Sequence, residues 1–213
     1  MFPRLFCGEA KEVHELQRMA ARISYSAGKN ILEEGAQAEF VFGVSKGVVR
    51  LFKLRQDGGR QIVSLALPGD FLEMPFVSRH MLSATAVDGV LLHRFPRTPL
   101  KAYILSNPKL MRLPVEFATR QLDLAQDHLL MLSNVSAEDR VLHFLTTWRN
   151  RVAPLNQFAD YLPLPMMRED IADFLALTIE TISRTLKRLE KNNLIRIVPK
   201  GVILGPPLLA PEQ

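Results

Sequence analysis

Residues 166–193 hold the pattern that most restricts the fold: "MMREDIADFLAL" and "IETISRTLKRLEKNN", two stretches of helical periodicity separated by about three residues. In the first, Ile171, Ala172 and Leu175 supply apolar positions, with Leu177 in the turn, and Ala172 is small where two helices must approach closely. In the second, Ile182, Leu186 and Leu189 recur at i, i+4 and i+7, one face of an α-helix. Thr178 stands where an N-cap belongs. Helices joined this tightly must cross and share one core, which is the helix-turn-helix pattern. The "LIRIVPKGVIL" that follows reads as two short strands around the turn "PKG", a wing behind it.

The opposite face of the second helix is polar, with Glu180, Ser183, Arg184 and Lys187 at i, i+3, i+4 and i+7. One reading is a solvated face whose Glu180–Arg184 pair contributes a few tenths of a kcal/mol. The other is a row of groups aimed at base edges. Charge distribution separates them. Between Arg184 and Lys200 stand six bases, Arg184, Lys187, Arg188, Lys191, Arg196 and Lys200, against the single acid Glu190, in a chain of net charge +5. That imbalance suits a surface that meets phosphates. An acid there repels phosphate, so Glu180 belongs only if it reads a base or orients Arg184. Arg184 can donate two hydrogen bonds to guanine O6 and N7, and Glu180 can accept from a cytosine amino group. Ser183 both donates and accepts. Thr178, Thr181, Lys187, Arg188 and Lys191 are candidates for phosphate contacts or for framing the readers.

The rest of the chain must carry these helices. "SAGKN", "EEGAQ", "VSKGV", "QDGGR", "LPGD" and "VDGV" punctuate the first hundred residues, leaving strand-like runs "FVFGV", "VVRLFKL", "QIVSLAL", "LSATAV" and "VLLHRF". This spacing predicts a barrel or sandwich. Before it, "EAKEVHELQRMAARI", residues 9–23, has the spacing of an amphipathic helix. A long helix is predicted from Pro108, capped by Asn107, to Ser133, with Pro114 early in it or kinking it. It carries two apolar rows. Val115, Ala118, Leu122, Ala125, Leu129 and Leu132 keep a/d spacing, and Leu110, Phe117, Leu124 and Met131 form the other. Such a helix packs on its own chain and on a symmetric partner. A further helix runs from Ser136 through Trp148, and "VAPLNQFADYLPLP" is a proline-containing connection.

The one cysteine, Cys7, excludes an internal disulfide and any multi-thiolate zinc or iron–sulfur site within one chain. No apolar run reaches the ~20 residues that span a bilayer, and "MFPRLFCGEAKEVHEL" lacks the apolar core of a signal peptide, so the expected compartment is the reducing cytoplasm. No nucleophile–base pair, metal-ligand cluster or phosphate-cradling glycine loop stands at informative spacing, so an enzyme is not expected.

From about Tyr25 to Leu204 the chain resembles the CRP/FNR family of bacterial transcription regulators, and within it the FixK branch. The residues that carry the likeness are "LPMMREDIADFLALTIETISRTLKRLEK", "DGGRQIVSLALPGDFLEM" and "RQLDLAQDHLLML". The resemblance implies an α+β chain with three parts. Residues 1–106 would form an N-terminal cyclic-nucleotide-binding-like β-barrel of jelly-roll type, 107–134 a long dimerisation helix, and 135–213 a C-terminal winged helix-turn-helix. It also implies a homodimer that works with RNA polymerase. Its E-x-x-S-R motif, here Glu180, Ser183 and Arg184, would read a TTGAT…ATCAA palindrome in genes of microaerobic or anaerobic respiration, nitrogen fixation or denitrification.

The departures concern the signal. An oxygen-sensing relative would carry an N-terminal cysteine cluster, absent here. A cyclic-AMP sensor would place an arginine where Leu82 stands, although Glu73 and Ser83 are kept in type. A buried phosphate without that counter-charge is costly, so the barrel is expected to act without cyclic AMP and with no bound cofactor. The alternative is a sensor of haem or of another small molecule whose DNA binding needs the ligand, with His14, His80, His93 and Cys7 as conceivable haem ligands; Cys7 could also be a redox-sensitive thiol. Ala176 stands where FixK relatives commonly have glycine; if left-handed, it costs on the order of 1 kcal/mol.

Overall fold

Glycine and proline do cut the first hundred residues into short strands. The computed structural model describes residues 10–56, 58–133, 136–155 and 160–209. Helix α1 (Ala10–Met19) precedes β1 (Ala21–Tyr25), β2 (Asn30–Leu32), β3 (Phe40–Lys46), β4 (Val49–Leu54), β5 (Arg60–Ala66), β6 (Ser83–Ala86) and β7 (Val90–Pro96). The strands form two antiparallel sheets, β1-β7-β3 and β2-β6-β4-β5. Phe42, Val44 and Leu92 from the first meet Leu32, Val49, Leu51, Ala84 and Ala86 from the second in one buried cluster. Each fully buried aliphatic side chain there contributes roughly 1.5–3 kcal/mol. All five strand-like runs in the sequence are strands, and the jelly-roll barrel is as expected.

The helix predicted over residues 9–23 ends at Met19, and Ala21–Tyr25 pairs with β7 instead. The unpaired edge of β7 supplies a ladder for these residues, and Ile23 and Tyr25, two apart, both pack on the barrel core. Strand β2 is three residues long, too short a run to show a period in the sequence.

A second cluster covers the outer face of the β1-β7-β3 sheet. Val41 and Phe95, opposite one another in the ladder, pack with Leu16 of α1, Leu100 and Ile104 of α2 (Arg97–Ser106), and Leu110 and Leu113. The predicted long helix starts later than Pro108. Asn107 Oδ1 accepts from the Lys109 N–H and caps a single 3-10 turn, Pro108–Leu110. Helix α3 then runs Arg112–Ser133. This places Pro114 in its first turn, where an N–H has no intrahelical partner to lose. The two apolar rows of α3 separate by burial. Leu110 and Met131 are buried, with Phe117 and Leu124 half-buried, whereas Val115, Ala118, Leu122, Ala125 and Leu129 are exposed and only Leu132, at the end of their row, is half-buried.

Packing divides the chain into two units, Met1–Ala125 and Gln126–Gln213. The second holds the last turns of α3, α4 (Ala137–Val152), β8 (Tyr161–Pro163), α5 (Arg168–Leu175), α6 (Ile179–Lys191), β9 (Ile195–Val198), β10 (Gly201–Leu204) and α7 (Pro206–Leu209). Helix α4 begins as expected, Ser136 Oγ accepting from the Asp139 N–H at 3.1 Å, and runs one turn beyond Trp148 to bury Val152. The hairpin around Pro199–Lys200 is formed, but its sheet has a third strand, β8, in the order β8-β10-β9. In the sequence, residues 161–163 read as part of the proline-containing connection. Pro163 is tolerated because β8 is an edge strand, and Trp148 Nε1 donates to the Pro163 carbonyl at 2.8 Å. Gly201 allows the close pairing: a Cβ there would lie 2.5 Å from the Leu162 carbonyl oxygen.

Candidate nucleic-acid interface

Helix α5 is eight residues long and is defined at both ends. At its start Asp170 Oδ2 accepts from the Met167 N–H at 3.3 Å, the return bond of a capping box. Ile171, Ala172 and Leu175 are buried on its inner face. At its end Ala176 adopts φ 51°, ψ 47°, and the Ala176 and Leu177 N–H groups both donate to the Ala172 carbonyl. The turn therefore needs the left-handed backbone that glycine adopts without penalty, and an alanine occupies it. A Cβ there costs about 1–2 kcal/mol, while glycine costs about 0.5–1 kcal/mol more backbone entropy on folding. Ala176→Gly is expected to stabilise the winged-helix unit by about 0.5–1 kcal/mol on balance. Chemical denaturation would show this as a higher midpoint at unchanged slope; a lower midpoint would contradict it.

Thr178 caps α6, its Oγ1 accepting from the Thr181 N–H at 3.2 Å, as the sequence predicts. Ile182, Thr185, Leu186 and Leu189 form the buried face. At 3.6 residues per turn Glu180, Ser183, Arg184, Lys187 and Lys191 lie within about 100° of arc on the opposite side. All are exposed except Ser183, which is half-buried. Ser183 Oγ accepts from Arg168 Nη1 at 3.2 Å. That bond occupies a lone pair and leaves the hydroxyl hydrogen to donate outward. Arg184 Nη2 donates to Thr181 Oγ1 at 3.5 Å, one of five guanidinium donors. The Glu180 carboxyl is held below its usual range by its own N–H, by the Thr178 hydroxyl and by Arg184, so it remains an ionised acceptor at neutral pH.

Two charged residues of α6 bond to neighbouring elements. Arg188, a candidate for a phosphate contact or for framing, lies on the flank and pairs through Nε with Glu138 Oε2 of α4 at 2.5 Å. Glu190, the lone acid in the basic run, accepts from the Ile197 N–H of β9 at 2.8 Å and ties α6 to the wing. Sequence reasoning missed Asp170, although an acid three residues after an N-cap is a recognisable signal. It also missed Arg168, whose contact with Ser183 joins two helices and has no local signature.

In the barrel, His80 Nδ1 lies 2.6 Å from Glu73 Oε1, with both residues buried. Burial pushes the Glu73 carboxyl above its usual range although His80 pulls the other way. Ser83 Oγ accepts from the Glu34 N–H at 3.1 Å, and Leu82 packs on the barrel core. His14 is exposed on α1, and His93 is buried on β7. Cys7 lies outside the described residues. Among the described residues no three His, Cys, Asp or Glu side chains gather as a metal site.

A tandem-helix motif with a three-stranded wing, a basic arc on its second helix and a jelly-roll barrel in the same chain define a DNA-binding regulator of the winged-helix class. Comparison with known proteins agrees. Residues 164–195 match the family described as "Bacterial regulatory proteins, crp family", and residues 22–107 match "Cyclic nucleotide-binding domain". The chain is 44% identical to the transcriptional activatory protein AadR of Rhodopseudomonas palustris, over 94% of this chain and 85% of that one. It is 42% identical to the nitrogen fixation regulation protein FixK of Bradyrhizobium diazoefficiens, over 93% and 84%. The solved structure of FixK2 from Bradyrhizobium japonicum superposes with a TM-score of 0.80 at 32% identity, over 87% of this chain and 92% of that one. The chain belongs to the CRP/FNR family of transcription regulators, on its FixK-like branch, and these relatives are regulators rather than enzymes.

Proposed function

We propose that the chain is a homodimeric transcription activator that reads a TTGAT…ATCAA-like palindrome through Glu180, Ser183 and Arg184. Thr178 and Thr181 frame the readers, and Lys187 and Lys191 meet phosphates. The observation that carries this is the arc of α6, where an exposed, ionised Glu180 stands among exposed bases. Symmetry is supported by the exposed row Val115, Ala118, Leu122, Ala125 and Leu129 on α3. An a/d seam of this kind is closed by a second copy, and a two-fold dimer matches a palindrome. The protein acts in the cytoplasm with RNA polymerase. Its targets are genes of microaerobic or anaerobic respiration, nitrogen fixation or denitrification, in keeping with relatives named for activation and nitrogen fixation.

DNA binding on this reading needs no cofactor. The barrel's donor set does not fit a cyclic phosphate: Leu82 replaces the counter-charge and packs inward, Glu73 is held against His80, and Ser83 is engaged by Glu34. The test is an anisotropy titration of ligand-free protein with a TTGAT…ATCAA duplex and a scrambled duplex across salt. Tight, selective binding is expected. Weak binding to both with a steep salt dependence would overturn the cofactor-free reading, because the competent conformation would then be rarely populated. In the same titration Lys191→Ala is expected to weaken both duplexes alike and to lower the log–log salt slope by about one unit. An unchanged slope would remove Lys191 from the phosphate contacts.

A further inference from the structure

A helix leaves its last four carbonyls without intrahelical partners, and the way α5 satisfies two of these points to a device that aims α6. Ala172 O is taken by the turn itself. Phe174 O lies 2.7 Å from His128 Nε2, on the last turns of α3. A carbonyl only accepts, so His128 Nε2 carries the hydrogen. Leu175 O accepts from Arg140 Nη1, in the first turns of α4, at 3.4 Å. The His128 ring also stacks on Phe174, with centroids 4.1 Å apart and planes 15° apart, and Phe174 leans on Phe144 of α4 at 5.9 Å. On the far side of the turn Glu138 holds Arg188 of α6. The end of α3 and the start of α4 thus grip the motif on both sides of Ala176.

We propose that His128, Arg140 and Glu138 form a clamp that fixes the direction of α6 relative to the last turns of α3, and through it the half-site spacing the protein accepts. They are positioning residues, and none lies on the α6 arc that meets DNA. The inference rests on the dimeric DNA-binding reading above. One base pair moves a half-site by about 3.4 Å and turns it by about 35°. A loosely held motif follows such a shift, whereas a clamped one loses its second half-site and the gain of binding both at once.

The test uses the full chain and three TTGAT…ATCAA duplexes, one with the spacing bound most tightly by wild type and two with spacers one base pair shorter or longer. Wild type is expected to prefer the first by about tenfold or more, and His128→Ala to reduce that preference to within about threefold. His128→Phe keeps a ring on Phe174 but loses the donor and is expected to behave like alanine. His128→Gln restores an N–H donor and is expected to recover the preference. A lower melting temperature with unchanged spacing preference would make His128 a packing residue and overturn the clamp. So would a glutamine variant as permissive as alanine. A wild type that selects the palindrome yet accepts all three spacings overturns the clamp alone; one that does not select the palindrome overturns the dimeric reading as well. Should His128→Ala fail to fold, Glu138→Gln at the solvent-facing Arg188 pair is expected to relax spacing in the same direction, and unchanged spacing there counts against the clamp.

Discussion

Leu122→Glu is expected to leave both units folded, to convert the protein to a monomer, and to weaken binding to the full palindrome by about 10²–10⁴-fold. Leu122 is 57% exposed in the single chain, so a carboxylate there meets water and costs little. Across a two-fold seam the same change buries two like charges close together, which costs several kcal/mol unless they are neutralised. The exposed row suits close approach by a second copy, because the small Ala118 and Ala125 alternate with Val115, Leu122 and Leu129 along its length. Affinity falls because a dimer binds its second half-site at a high effective concentration that a monomer lacks. Sedimentation would give the oligomeric state, and anisotropy on full and half sites would give the loss. Half-site binding should change little. A variant that stays dimeric would mean the row on α3 is not the seam, while an unfolded one would mean Leu122 is needed within its own chain.

How much of this was legible in the sequence depends on how local each cause is. The helix-turn-helix pair could be read because its determinants sit within a few residues of what they fix. Thr178 caps three positions ahead, Ile182, Leu186 and Leu189 are buried at helical spacing, and Ala176 falls where the left-handed turn is needed. The two rows of α3 could be read for the same reason. Its starting point could not. Asn107 and Pro108 are sound start signals, but they open a 3-10 turn, and Pro114 fits best once the α-helix begins at Arg112. Strand β1 reads as helix in the sequence because "ARI" continues a helical spacing and becomes strand only where the edge of β7 lies beside it. Long-range contacts left no trace. His128 and Phe174 are 46 positions apart, and Arg168 meets Ser183 across two helices. The candidate readers were therefore legible, and the side chains that hold them were not.

Arg184→Ala bears most directly on what those readers do. If Arg184 forms two hydrogen bonds to a guanine edge, its loss is expected to remove ~1–3 kcal/mol of discrimination at that base pair, about a tenfold to hundredfold change in preference. Discrimination at the other positions should survive. The contrast with Lys191→Ala is the informative part. Both residues are exposed cations on one arc of α6, so on a simple electrostatic account both would weaken every duplex equally and lower the salt slope. What distinguishes Arg184 is its setting: it lies one turn from the helix start, beside an ionised Glu180 that would be repelled by phosphate. At a base edge such an acid can accept from an amino group while it steadies the guanidinium. Titrations of both variants on matched duplexes and on duplexes changed at the guanine position separate the two accounts. Equal loss by Arg184→Ala on matched and mismatched DNA would make it another phosphate contact. The acid at 180 would then be left to orient the arginine, with no base of its own to read.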